Sequence, residues 1–509
     1  MNATKSFGAA ALALLLAGTT ACDDFLNVNT DPNNPLVASP SNLLPSTVIS
    51  TGFANGNEIS RITSLLVQHV AGTGSQSTGQ DVYNIRGGLD NQWQLELYAG
   101  VLQNAQSMIE AADRVNSPAY AGIGKLLKAY NFALVTDLWG DVPYSEALRR
   151  FDNLQPRFDR QEDIYKGNAG QGVQSLFDLV KEGLADLDKP STFKPGATDD
   201  PVYAGDLAKW KKMGNTLLLK LANTVSVREP ALAKAIIEEV LAKGPGAYIA
   251  TNDEDFEVPY GSSVGSQNPI YSFNYVNRTT DLLLSQRLLD SMALRNDPRL
   301  PKFFTTTPTP TATTNLTGTV TSVGVFTGFQ NGTPGAGPAL ANRSRYGAYP
   351  AGTSGAAPIR LLTNFQVLFI RAESAVMLGV VGDAQALLRE AVRASMRKAG
   401  LTDADVDAYF AANPRWVTLT PAADAVSRQK NLNKIITQKW IAWVGNGYEA
   451  YNDYRRTGFP RLSLALNPQG DDGTLPKRFV YPASELSGNT KNAPSPVPGT
   501  SVPVWWDVD

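Results

Sequence analysis

NQWQLELYAGVLQNAQSMIEAADRV, residues 91–115, is the stretch whose reading decides the fold. Its apolar positions Trp93, Leu97, Val101, Ala105, Met108, Ala112 and Val115 recur every three or four residues and trace one face of a long helix. Ser117 and Pro118 punctuate its end, and Ile123, Leu127, Tyr130, Leu134 and Leu138 mark a second helix closed by Gly140. A link this short between two helices predicts an antiparallel helical hairpin.

The same periodicity extends outward through Gly172 to Leu187, Leu207 to Val227, Ala231 to Lys243, Asp281 to Leu294, Asn364 to Leu378, Asp383 to Lys398 and Ala422 to Val444. The predicted fold class is all-α. Within Asn364 to Lys398, the small residues Ala372, Ala375, Gly379, Ala384 and Ala391 stand where paired helices must approach closely, a character shared with tetratricopeptide (TPR) hairpins. The spacing between hairpins is irregular, so a strict repeat of about 34 residues is not supported; the scaffold reads as TPR-like. Two stretches break the pattern. Tyr248 to Arg278 and Thr305 to Pro358 are rich in Gly, Pro, Ser, Thr, Asn and Ala, and they read as long loop inserts on the scaffold.

Composition limits the chemistry. The 509 residues are 43% hydrophobic and 18% charged, ordinary values for a folded protein. The 45 basic and 47 acidic residues leave a net charge of −2, which supplies no long-range field for a nucleic-acid backbone. One histidine, His69, sits in a run with helical apolar spacing and reads as a packed residue. With one His and one Cys, the chain lacks the ligands of a Cys/His zinc site, and a Ser-His-Asp triad would rest on His69 alone. No nucleophile elbow, Walker loop, dinucleotide glycine fingerprint or calcium loop is present, and no cofactor or metal is expected. Paired carboxylates remain open to a surface glycoside hydrolase.

The N-terminus carries a separate signal. Lys5, the apolar stretch Phe7 to Gly18 and the small residues Thr19, Thr20 and Ala21 have the layout of a secretory signal, too short to span a bilayer. Cleavage at 21 would make Cys22, the single cysteine, the first residue of the mature chain. That placement resembles a bacterial lipobox, although Thr19 departs from the usual aliphatic residue. Residues 1–21 are thus expected to be a lipoprotein signal peptide and 22–509 one domain. Several acyl chains on Cys22, each contributing roughly 0.8 kcal/mol per buried CH₂, would anchor it stably.

The segments with most individual character are Asp137-Leu-Trp-Gly-Asp-Val-Pro-Tyr144 followed by Ser145-Glu146-Ala147, Arg371-Ala-Glu-Ser with Gly382-Asp383, and Lys439-Trp440 leading to Gly447-Tyr448-Glu449. Arg478-Phe-Val-Tyr-Pro482 with Glu485 and Asn489 completes the set, and Cys22 is followed by Asp23, Asp24, Phe25, Leu26, Asn29, Asp31 and Pro32. In this order they resemble the SusD/RagB family, from Cys22 almost to the C-terminus. The resemblance implies a non-enzymatic, cell-surface lipoprotein of the outer membrane. It also implies a TPR-like helical fold with a loop-rich ligand side, and a TonB-dependent SusC-like transporter as partner, supplied with oligosaccharides or, in some members, peptides.

Each of these segments also has a structural reading. Gly140 and Pro143 can end a helix, Trp440 and Trp443 lie on a helix, and Arg478, Tyr481 and Glu485 can satisfy one another. Ligand contacts are therefore sought in the loops, where exposed aromatic faces beside polar groups suit sugars. Candidates are Tyr83, Arg86 and Trp93 first, Tyr271, Tyr275 and Arg278 next, then Tyr346. Glycan and peptide both fit such a site, and a TPR-like scaffold binding a protein partner is the remaining alternative.

Overall fold

A computed structural model describes residues 38–87, 89–307, 312–315, 318–321 and 324–508. Residues 1–21, expected to be a signal peptide, and Cys22 lie outside the described residues. Helices dominate, and those expected from periodicity, apart from Asp281 to Leu294, are present with boundaries shifted by about a turn.

The deciding stretch forms one continuous helix in two windings: Gln92–Leu102 is a π-helix that runs into the α-helix Gln103–Arg114. The wider winding requires a glycine at position 100, where an added Cβ would lie 2.5 Å from the Leu95 carbonyl oxygen. The next helix, Pro118–Trp139, starts on a proline, whose missing N–H costs nothing there, and stops at Gly140, whose φ of +81° favours glycine. The helix Gln103–Arg114 packs on Pro118–Trp139, giving the predicted hairpin.

The stack continues with Pro118–Trp139 on Leu176–Asp186, Leu176–Asp186 on Leu207–Thr224, and Leu207–Thr224 on Pro230–Ala242. Further along, Asn364–Met377 packs on both Ala384–Lys398 and Ala425–Ala442. The tightest approach among these pairs is at Gly122 and Gly183, where a Cβ on either residue would come within 2.9 Å of the other's carbonyl. Gly379, expected to admit a neighbouring helix, is instead exposed at φ +66° just beyond Met377, and serves to end its helix.

Two differences from the periodicity reading stand out. Asp281 to Leu294 is not one helix: Leu282–Leu284 is a strand paired antiparallel with Val70–Gly72, and only Gln286–Ala293, capped by Ser285, is helical. The helix Pro40–Gly56 was hidden in the sequence by Pro45 and by its Ser, Thr, Asn and Gly content. It stays buried because Thr47 and Thr51 return their hydroxyls to the carbonyls of Leu43 and Thr47.

The strands among the described residues form four two-stranded antiparallel ladders. One joins the two loop inserts: Phe256–Val258 pairs with Ile359–Leu362 at the exit of the second. An apolar cluster runs from Leu44 to Trp506, with members from nearly every helix.

Candidate functional site

The segments of most individual character fold inward. Asp137, at the end of Pro118–Trp139, is fully buried. Its Oδ1 accepts hydrogen bonds from Tyr165 (2.7 Å) and the Trp506 indole (2.9 Å), and its Oδ2 from Tyr448 (2.7 Å) and Asn452 (2.8 Å). Glu373 forms a two-pronged ion pair with Arg456, which also reaches Asp453 at 2.8 Å; Asp453 in turn pairs with Lys439 at 3.0 Å. Nearby, Glu449 pairs with Lys220 at 2.7 Å and accepts from Gln366 at 2.7 Å. All of these groups are buried. Arg478 donates to the Tyr481 hydroxyl, which donates to the Asp141 carbonyl. These residues bind chain to chain, which is why the segments mark the fold without marking a ligand.

His69 is wholly buried, its Nε2 bonded to the Trp440 carbonyl at 2.9 Å and its ring 5.2 Å from that of Trp440. Burial pushes its pKa down to about 3, so the imidazole is neutral.

The candidate ligand residues divide into two groups. Tyr83, Trp93 and Tyr346 are core residues, a correction to the expectation of exposed aromatic faces. Tyr83 is 1% exposed, accepts the Ala465 N–H on its hydroxyl at 2.8 Å, and lies under Gly470. Burial pushes its phenol up. Trp93 is 2% exposed, packed by Trp139, Tyr98 and Tyr481, and donates its indole N–H to Glu485 at 3.1 Å. Tyr346 stacks on Phe304 and its phenol is pushed up to about 12 by burial. The same strapping holds Asp81, whose carboxylate accepts from Asn331 (2.6 Å) and the Gly332 N–H (2.5 Å); burial pushes it up to about 7.

Arg86, Tyr271, Tyr275 and Arg278 do reach the surface. Arg86 is paired with Asp471. Tyr271 ends the short helix Pro269–Tyr271, and the π-helical Ser272–Asn277 follows directly. Residues four apart share a helix face, so Tyr271 and Tyr275 stack, with ring centroids 5.0 Å apart and planes 16° from parallel. The Tyr275 hydroxyl donates to the Tyr346 carbonyl at 2.5 Å. The Arg345 guanidinium sits 4.2 Å from the Tyr275 ring centre and donates to the Asn274 carbonyl. Arg278 reaches Ser75 at 3.5 Å, and Arg61 covers Phe273 at 4.0 Å.

The structure thus brings Tyr271 and Tyr275 together, while Arg278 reaches Ser75 and Arg86 is paired with Asp471. Arg345, next to the expected Tyr346, was missed. In an extended segment neighbours point to opposite sides, so 345 and 346 face apart, and only the packing shows which of them meets solvent. A stacked aromatic pair with the Arg345 guanidinium against it can meet the C–H face of a ring-shaped ligand and donate to its oxygens.

The fold is thus a helical scaffold whose polar clusters are consumed internally and whose loops carry a stacked tyrosine pair at the surface. A family model described as "Starch-binding associating with outer membrane" matches residues 32–482, and the chain belongs to this SusD-like family. Among solved structures it resembles a chitin-binding protein (24% identity, 92% of this chain and 100% of that one, TM-score 0.75). It also resembles a SusD homologue from Bacteroides uniformis (22%, 92% and 99%, TM-score 0.74) and a chitin-binding SusD homologue from Flavobacterium johnsoniae (24%, 92% and 98%, TM-score 0.70). At these identities the likeness is one of fold. No curated protein sequence matches the chain. Among the described residues no helix is long and apolar enough to cross a membrane.

Proposed function

We propose that this chain is a nutrient-binding lipoprotein of the outer-membrane surface, held by acyl chains on Cys22, with residues 22–509 acting as one unit behind a signal peptide of residues 1–21. It captures an oligosaccharide on the Tyr271 face and delivers it intact to a TonB-dependent SusC-like transporter. The observation that carries the ligand reading is the stacked Tyr271 and Tyr275 pair. Arg345 and Tyr271 both pack on the Tyr275 ring, which leaves Tyr271 as the ring offered to a ligand. Family membership and the chitin-binding relatives favour a glycan over a peptide.

The test has two parts. The mature chain is titrated with neutral oligosaccharides, chitin fragments and starch fragments first, and recovered sugar is checked for cleavage. Purification from outer membranes is then examined for a large β-barrel partner. Saturable binding of uncleaved sugar together with the barrel is the expected result, whereas hydrolysis of the sugar, or binding of peptides alone, would overturn the reading.

A further inference from the structure

Apart from the tyrosine pair, a cavity of about 320 Å³ opens between the helix Gln286–Ala293, the short helix Pro414–Val417, the helix Ala425–Ala442 and the chain at Pro460 and Arg461. Its size is at the lower end of the roughly 300–1,000 Å³ of small-molecule sites, which suits one sugar-sized body. Its walls carry Arg287, Arg295, Lys434 and Arg461 against the single carboxylate of Asp290, an excess of three positive charges.

Arg295 is the informative member. Its residue is 7% exposed, yet among the described residues it makes no ion pair. Nη1 donates to the Ser291 carbonyl (2.6 Å) and hydroxyl (2.8 Å), the guanidinium rests 4.1 Å from the Trp416 ring centre, and Nε is buried without a partner. Arg299, four residues on, is clasped by Asp297 at 2.6 and 2.9 Å, whereas buried Arg343 is held by neutral acceptors, the Pro338 and Thr280 carbonyls and the Thr73 hydroxyl; Arg295 is of the second kind but opens on a cavity. Burial lowers the Arg295 pKa, and the nearby Asp297 charge, already clasped by Arg299, only partly opposes this. Lys434, half-buried at the cavity edge, donates to the neutral Thr418 carbonyl at 2.6 Å.

We infer that this cavity binds a hydroxylated monocarboxylate of monosaccharide size, the chemistry of a hexuronic acid. The carboxylate completes the charge of Arg295, with Lys434 and Arg461 at the rim. Asp290, held by Gln286 at 2.7 Å, accepts from the sugar hydroxyls, donors that a sulfate ion lacks. The Trp416 edge and Leu294 meet the C–H face of the sugar. This site does not depend on the tyrosine pair, so either reading can fail alone.

The test is calorimetric titration of the full mature chain with D-galacturonate, D-glucuronate, D-galactose and sodium sulfate, at low and moderate salt. Saturable binding of a uronate, weakened by salt and absent for galactose and sulfate, is expected. Arg295→Gln should weaken it at least tenfold. Because that variant removes a buried group, Lys434→Gln and Arg461→Gln serve as rim variants whose fold is checked by melting, and together they should also cost at least tenfold. The inference is overturned by any of three results: no uronate binding, galactose or sulfate binding as tightly as the uronate, or uronate affinity unchanged in the folded variants.

Discussion

The Tyr448 hydroxyl donates to Oδ2 of Asp137 at 2.7 Å although 311 residues separate the two. Oδ1 of the same carboxylate receives Tyr165 and Trp506, so one buried side chain ties the end of Pro118–Trp139 to three later parts of the chain. A carboxylate with four donors has every lone-pair direction answered, which is what allows a charge to remain in the core.

Asp137→Asn should therefore be severe despite its equal size, because an amide N–H₂ would face donors. A loss of about 3 kcal/mol is expected, against about 1 kcal/mol for Tyr448→Phe, which removes one of four bonds. Urea denaturation compares them. Equal stability of Asp137→Asn and the parent would contradict the network described.

The Glu373 and Arg456 pair offers a second test. Removing one partner leaves the other charge buried, so Glu373→Gln should cost about 3–5 kcal/mol, while Glu373→Met combined with Arg456→Met should recover part of that loss. A double-mutant cycle decides it. Asp453 also binds Arg456, so full recovery is not expected.

His69 predicts a pH effect. The folded pKa of about 3 lies below the ordinary 6.5, so the unfolded chain takes up a proton first. The stability present above pH 6.5 is therefore lost as pH falls toward 3. Asp81 and Asp255 act oppositely: burial raises both to about 7, so their contribution is lost as pH rises from about 4 to 7. His69→Gln can still donate to the Trp440 carbonyl but does not titrate. Its melting temperature relative to the parent should rise steadily between pH 7 and pH 4; a constant offset would count against a buried neutral imidazole.

Aromatic substitutions should separate surface from core. Tyr271→Ala is expected to reduce glycan affinity about tenfold, or about 1.4 kcal/mol, with little change in melting. Tyr83→Ala and Trp93→Ala should instead each cost about 3–5 kcal/mol of stability, since both vacate packed core volume. Measuring affinity and melting on the same three variants distinguishes the roles.

Replacement of Cys22 by Ser should release the protein from membranes on fractionation, since several acyl chains are then missing. A variant that remains in the membrane fraction would mean that something other than lipid holds it.

Helical periodicity was legible in the sequence because it is a local property: Trp93, Leu97, Val101 and Ala105 share a face whatever lies opposite, and Gly140 or Pro118 ends or starts a helix by its own backbone chemistry. The Asp137, Glu373, Lys439 and Glu449 segments were recognisable in order, and their structural reading agrees with the buried bonds they make. The exposure of a loop aromatic was not legible. Whether Tyr83 meets solvent depends on Ala465 and Gly470 being folded over it, and whether Trp93 does depends on Glu485 and Tyr481. Sequence by itself determined a helical, TPR-like scaffold with two loop inserts and a family, because these follow from spacing and motif. Only the tertiary structure decided which aromatic rings reach water and which cations lack a carboxylate, because burial is set by what packs on a residue from hundreds of positions away.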